Sequence, residues 1–207
     1  RSPERRAQAV QAVAAFAMRG NVHSVVAALD DPSPYVGVTA ARSLASREHA
    51  EHAAEVMRRL WRFTHWSADY LSAMLANIGP IAAAPAREIL ADAAQPANAR
   101  AVSADVLSRL NDPLGAAVAA GVLSGPDGNT WGAPAVQAAA LRLLAQVGRS
   151  EHLAMVRHFL VSRHALVRGE AVHALATLGG DAEVDGVQQA LADPSRWVAR
   201  EAVRGLL

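Results

Sequence analysis

The chain has 207 residues, a formal net charge of +1 and no cysteine. The missing thiols exclude disulfides, a thiolate nucleophile and a cysteine-based zinc site, and the near-neutral balance argues against a dedicated nucleic-acid binder, which normally carries a strong basic excess. All twenty basic residues are arginine, so lysine Schiff-base chemistry and a P-loop lysine are excluded too.

Hydrophobic residues make up 52% of the chain and aromatics only 4%. The apolar share is mostly Ala, Leu and Val, which favours closely packed helices over sheets. The longest stretch without a charged residue, 70–86, contains Asn77 and a Gly79-Pro80 break, so it is no membrane span. No signal peptide is visible. The chain begins at Arg1 and ends at Leu207 inside an expected helix, which reads as a fragment of a longer protein. That reading places it in the cytoplasm, or as the soluble part of a membrane-anchored protein.

In chain order, the pattern is a row of helical hairpins. A first helix begins near Arg5 and is followed by a helix over 21–30. Asp31-Pro32 separates that helix from one starting near Val36. Helices over 50–63, 81–93, 113–123, 150–161 and 182–192 then alternate with helices starting near Ser67, Asn98, Val136, Val167 and Val198. The starting points recur every 31 residues, with seven extra residues in the Gly- and Pro-rich stretch 125–134, which reads as an exposed loop with Trp131 tucked against a helix.

The register supports this division. Four residues beyond the starting points lie Ala9, Ala40, Leu71, Val102, Ala140, Ala171 and Ala202. Eight beyond lie Val13, Leu44, Leu75, Val106, Leu144, Leu175 and Leu206. All are apolar, and a spacing of four marks one helix face. Leu29, Leu60, Leu160 and Leu191 repeat seven residues before a starting point. Gly79, Gly148 and Gly179 sit twelve beyond, where a helix stop belongs. Asp31-Pro32 and Asp193-Pro194 fall between helices, where Asp caps the next helix and Pro cannot continue the last. Such two-helix units bury their apolar faces only by stacking, which predicts an all-α solenoid of about six hairpins forming one domain over 1–207. Val203, Leu206 and Leu207 are then expected to be partly exposed.

The segments DDPSPYVGVTAARSLA and LVRGEAVHALATLGGDAEVDGVQQALADPSRWVAREAVRGL resemble HEAT repeats, closest to the short bacterial type of phycobilin-lyase-like proteins. The resemblance is clear over 25–46 and 150–207. It is blurred over 50–124, where Trp61, Phe63, Trp66 and Tyr70 replace small and aliphatic residues. It implies a fold and a binding habit, with the second (B) helices lining a concave surface and the first (A) helices outside.

No GxGxxG, GxxxxGK, HExxH or GxSxG pattern is present, and the chain calls for no cofactor, metal or catalytic residue. His49 and His52, beside Glu48, Glu51 and Glu55, share a spacing that can suit a divalent metal, but they read better as a solvated helix start. Some HEAT-like proteins are iron hydroxylases built on His-Glu pairs in the B helices. Here Glu170 and Glu201 stand in the equivalent positions, but Gly169 and Arg200 replace the histidines, and the two glutamates are expected to pair with nearby arginines.

Residues two, six and ten beyond each starting point form a further face, on which Arg42, Arg100, Arg142, His173, Arg200 and Arg204 recur. An arginine column of this kind suits recognition of carboxylate or phosphate. The expected function is therefore a non-enzymatic interaction scaffold, an adaptor meeting an acidic segment of a protein partner on the concave face. The alternative is a nucleic-acid-binding or DNA glycosylase-like HEAT protein using Trp61, Trp66, Tyr70 and Asp69.

Overall fold

A computed structural model describes residues 2–16, 22–125 and 133–207. All regular secondary structure among these residues is helical. The B helices are α1 (Pro3–Phe16), α3 (Pro34–Leu44), α5 (Ala68–Ala76), α7 (Ala97–Arg109), α9 (Pro134–Val147), α11 (Ala165–Gly179) and α13 (Arg196–Leu206). Between them lie the shorter A helices α2 (Val22–Ala28), α4 (Ala53–Met57), α6 (Ala83–Ala91), α8 (Gly115–Ser124), α10 (Leu153–His158) and α12 (Val184–Gln189). Tight 3₁₀ turns extend several A helices, so an expected helix such as 150–161 is a short α-helix with a turn at each end. Only the edges of the loop 125–134 are described. The expectations for its exposure and for Trp131 lie outside the described residues.

The B helices α5, α7, α9, α11 and α13 pack side by side in sequence, and each hairpin rests on the next. Their buried faces merge into one core. Ala40, Ala140, Ala171, Ala202, Leu75, Val106, Leu144 and Leu175 are fully buried, as the register predicts. Leu29 and Leu60 are buried as well. The register fails toward the ends of the row: Ala9 is exposed and α1 instead turns Ala7 and Val10 inward, while Leu191 is exposed; Leu206 is exposed, as expected for the last helix. Val203 and Leu207 are exposed, as expected.

Local sequence sets the hairpin corners. Asp31 accepts the Ser33 amide at 2.8 Å and Asp193 the Ser195 amide at 2.7 Å, turning the chain into α3 and α13. Both also hold an arginine of the preceding B helix, Arg6 at 2.8 Å and Arg168 at 2.7 Å, which ties successive repeats together. Helix α11 runs through Gly179, and the stop expected there falls one residue later. Gly180 has φ +52°, and Gly79 has φ +92°, both in the region that glycine adopts without strain.

Candidate functional site

The exposed face of the B helices carries the charged residues, and their arrangement differs from a simple arginine column. A step of four residues turns about 40° beyond a full circle on a 3.6-residue helix. Residues two, six and ten beyond a starting point therefore drift from the seam between helices out into solvent. Val38, Ala138 and Gly169, each two beyond, are buried, and so is Arg100.

Arg100 is thus a correction to the expected site. Its guanidinium points into the A-helix side and donates from Nε to the Leu90 carbonyl at 3.0 Å. Arg142 is half-exposed but held on both sides. It donates to Asp105 on α7 at 3.0 Å and to Glu170 on α11 at 2.8 Å, spanning three consecutive B helices. The remaining expected residues, Arg42, His173, Arg200 and Arg204, are exposed. Arg204 donates to Glu201 at 3.1 Å, and Arg200 stands 4.8 Å over the Trp197 ring. Glu170 and Glu201 thus pair with arginines, as expected. Arg42 stands apart on α3, so the residues brought together are Arg142 with its carboxylates and, further along, His173 with Arg204 at one cleft, while Arg200 lies over Trp197 on α13.

Two shallow clefts open on this face. One, about 300 Å³, is lined by His173, Ala176 and Thr177 of α11 and by Glu201, Arg204 and Gly205 of α13. The other, about 360 Å³, lies along α5, α7 and α9 and is lined by Ala68, Asp69, Ser72, Asp105, Ser108, Arg109 and Arg142. In its wall Arg109 donates to the Asp69 carboxylate and, at 3.0 Å, to the Ser72 hydroxyl. Column reasoning missed Asp105 and Arg109, which sit seven and eleven residues beyond Asn98. A search for acid–arginine pairs at 37- and 40-residue separations would have found them.

Burial pushes the Asp105 and Glu170 carboxyls above their ordinary range even though Arg142 pulls both down. Burial also opposes the Arg142 charge, but Asp105 and Glu170 hold its guanidinium above its usual value. Desolvation therefore outweighs a single guanidinium shared between two carboxylates.

The metal and glycosylase patterns do not assemble. His49 leaves helical geometry (φ −121°, ψ 26°), and among the described residues no group of three or more His, Asp or Glu is placed to hold a metal ion. Phe63 is buried with Trp66 edge-on at 6.2 Å, while Trp61 points outward under Arg62. Among the described residues, none of these aromatics lines the cleft that contains Asp69. No described helix is long and apolar enough to cross a membrane.

Short helix pairs stacked in one row on a continuous core, with a charged face along the B helices, define an α-solenoid, a helical repeat scaffold. Residues 132–207 match the family model of the HEAT repeats. A solved structure of human deoxyhypusine hydroxylase in complex with glycerol aligns over 100% of this chain and 90% of that one, with 15% identity and a TM-score of 0.47. At that level of similarity it carries no argument about what this chain does. No curated protein matches the sequence.

Proposed function

We propose that the chain is a non-enzymatic scaffold, acting as an adaptor that binds a protein partner along its concave B-helix face. The reading rests above all on two exposed arginines of α13, Arg204 in the lining of the cleft between α11 and α13 and Arg200 on the same helix. Arg204 is 63% exposed, with His173 also lining the cleft, and Arg200 is 58% exposed; both stand beside Glu201, itself 7% exposed. A partner carboxylate reaching this end meets two guanidiniums that keep free N–H groups, and gains charge-assisted hydrogen bonds. HEAT repeats commonly present such surfaces to proteins, since modest contacts on successive repeats act together.

A nucleic acid fits this face less well. Arg109 and Arg142 are already neutralised by Asp69, Asp105 and Glu170 on the same surface, so a phosphate chain would find compensated cations along most of its path. The test is binding of a glutamate-rich peptide and of a DNA duplex, each across a salt series. The peptide should bind in a salt-sensitive way and lose affinity in Arg200→Glu/Arg204→Glu, but keep it in Arg58→Glu on the A-helix side. Tighter binding of the duplex, or an equal loss in both variants, would overturn the reading.

A further inference from the structure

The outer face of α13, the last B helix of the row, departs from the pattern of the B helices before it. On a helix that turns about 100° per residue, Ala199, Val203 and Leu206 fall on one stripe. The stripe lies roughly opposite Trp197, which packs on Gly169 of α11. Val203 is 49% and Leu206 37% exposed. The residues at the same places on the two preceding B helices are covered: Leu141 and Val172 match Val203, Leu144 and Leu175 match Leu206, and all four are buried. For α11 the cover comes from the next hairpin. Val172 lines a cleft with Gly186 of α12 and Val198 of α13, and a Cβ at Gly186 would stand 3.1 Å from Leu175 Cδ2. Leu191, in the 3₁₀ turn before α13, is exposed too, where Leu29 and Leu60 are buried.

We infer that this outer face docks an amphipathic helix of a protein partner, which lays its apolar stripe on Val203 and Leu206 and carries carboxylates along one border. Packing within the row says why a helix fits. Helix α12 seats on Leu175 by bringing a glycine to it, and a helix with a small residue at the contact seats on Leu206 in the same way. Charge says which helix. Arg196, Arg200 and Arg204 follow the stripe along its edge in steps of four, and all three are exposed. The one acid of α13, Glu201, is buried and bonded by Arg204, and Asp193 at the preceding corner is held by Arg168. Three guanidiniums against one carboxylate leave this border positive, and acidic flanks supply what it lacks. A second copy of the chain fits less well, because two apposed α13 faces would bring these arginines together. The inference goes beyond the concave-face reading and does not depend on it.

The test titrates the whole chain, followed by NMR, with two helix-stabilised peptides that share a leucine stripe and carry either glutamates or lysines beside it. The glutamate peptide should bind about tenfold more tightly than the lysine peptide, with shifts on α12 and α13. Val203→Ser/Leu206→Ser should weaken it about tenfold, with the far-UV circular dichroism of the folded chain retained. Arg196→Glu, beside the stripe, should level the two peptides, and it decides alone should the serine variant lose helix. Absence of binding, equal affinity for the two peptides, or affinity unchanged in both variants would overturn the inference. So would dimerisation of the chain, read by sedimentation, that Val203→Ser abolishes, since the occupant is then a second copy. Failure of the concave-face test leaves this titration standing, because Val203 and Leu206 take no part in it.

Discussion

Trp197 on α13 packs against Gly169 on α11 so closely that a Cβ at position 169 would stand 2.7 Å from the indole Cδ1. This accounts for the glycine at a place where the His-Glu pattern of HEAT-like hydroxylases would require histidine. The space that an imidazole needs is filled by the next repeat. The indole Nε1 is buried there without a hydrogen-bond partner among the described residues, so the contact is one of shape.

Gly169→Ala should therefore destabilise the protein. Overpacking costs about 1–3 kcal/mol, and the gain in helix propensity returns only about 1 kcal/mol. In a Trp197→Leu background the same change should become stabilising. Urea denaturation of the four proteins gives the coupling directly, and additive effects would refute the clash.

Leu144 on α9 and Leu175 on α11 are completely buried. Either one changed to Ala should cost about 2–5 kcal/mol. Leu191→Ala, at a position 43% exposed, should cost under about 1 kcal/mol although it shares its place in the repeat with the buried Leu29 and Leu60. Thermal denaturation of the three variants separates the register from the actual burial.

The Arg142 cluster makes a signed prediction about pH. Asp105 and Glu170 have folded-state pKa values raised by burial, so their contribution is fully present below the unfolded-state value near 4 and is lost as pH rises through the raised values. Asp31 and Asp193 are lowered, chiefly by hydrogen bonds from Arg6 and Arg168, so their contribution is present at neutral pH and lost as pH falls through the lowered values. Arg142→Gln should cost about 2 kcal/mol at pH 7, because it leaves two largely buried carboxylates without their cation, and less as the pH is lowered and protonation removes the uncompensated charge. Urea denaturation across a descending pH series checks the sign; a loss that stays constant or grows as the pH falls would contradict it.

Asp193 serves as both helix-start acceptor and inter-repeat tie. Asp193→Ala should cost about 1–2 kcal/mol, and Asp193→Asn less, since the amide oxygen still accepts the Ser195 N–H while losing the charge that attracts Arg168. Hydrogen exchange should show the loss first at the start of α13.

The repeating hairpins could be read along the chain because their causes are local. A spacing of four apolar residues, Asp31-Pro32 and Asp193-Pro194 at the corners, and glycine at a helix end each act within one or two turns, so Leu144, Leu175 and the helix starts fall where the pattern places them. The fate of the arginines depended instead on how one hairpin leans on the next. Arg100 and Arg200 hold the same place in their repeats, yet one is buried against the Leu90 carbonyl and the other lies exposed over Trp197. Arg142 finds Asp105 thirty-seven residues back and Glu170 twenty-eight ahead. Such partners meet only after the helices stack, and a charged side chain of several freely rotating bonds takes whichever carboxylate or carbonyl the stacking brings within reach.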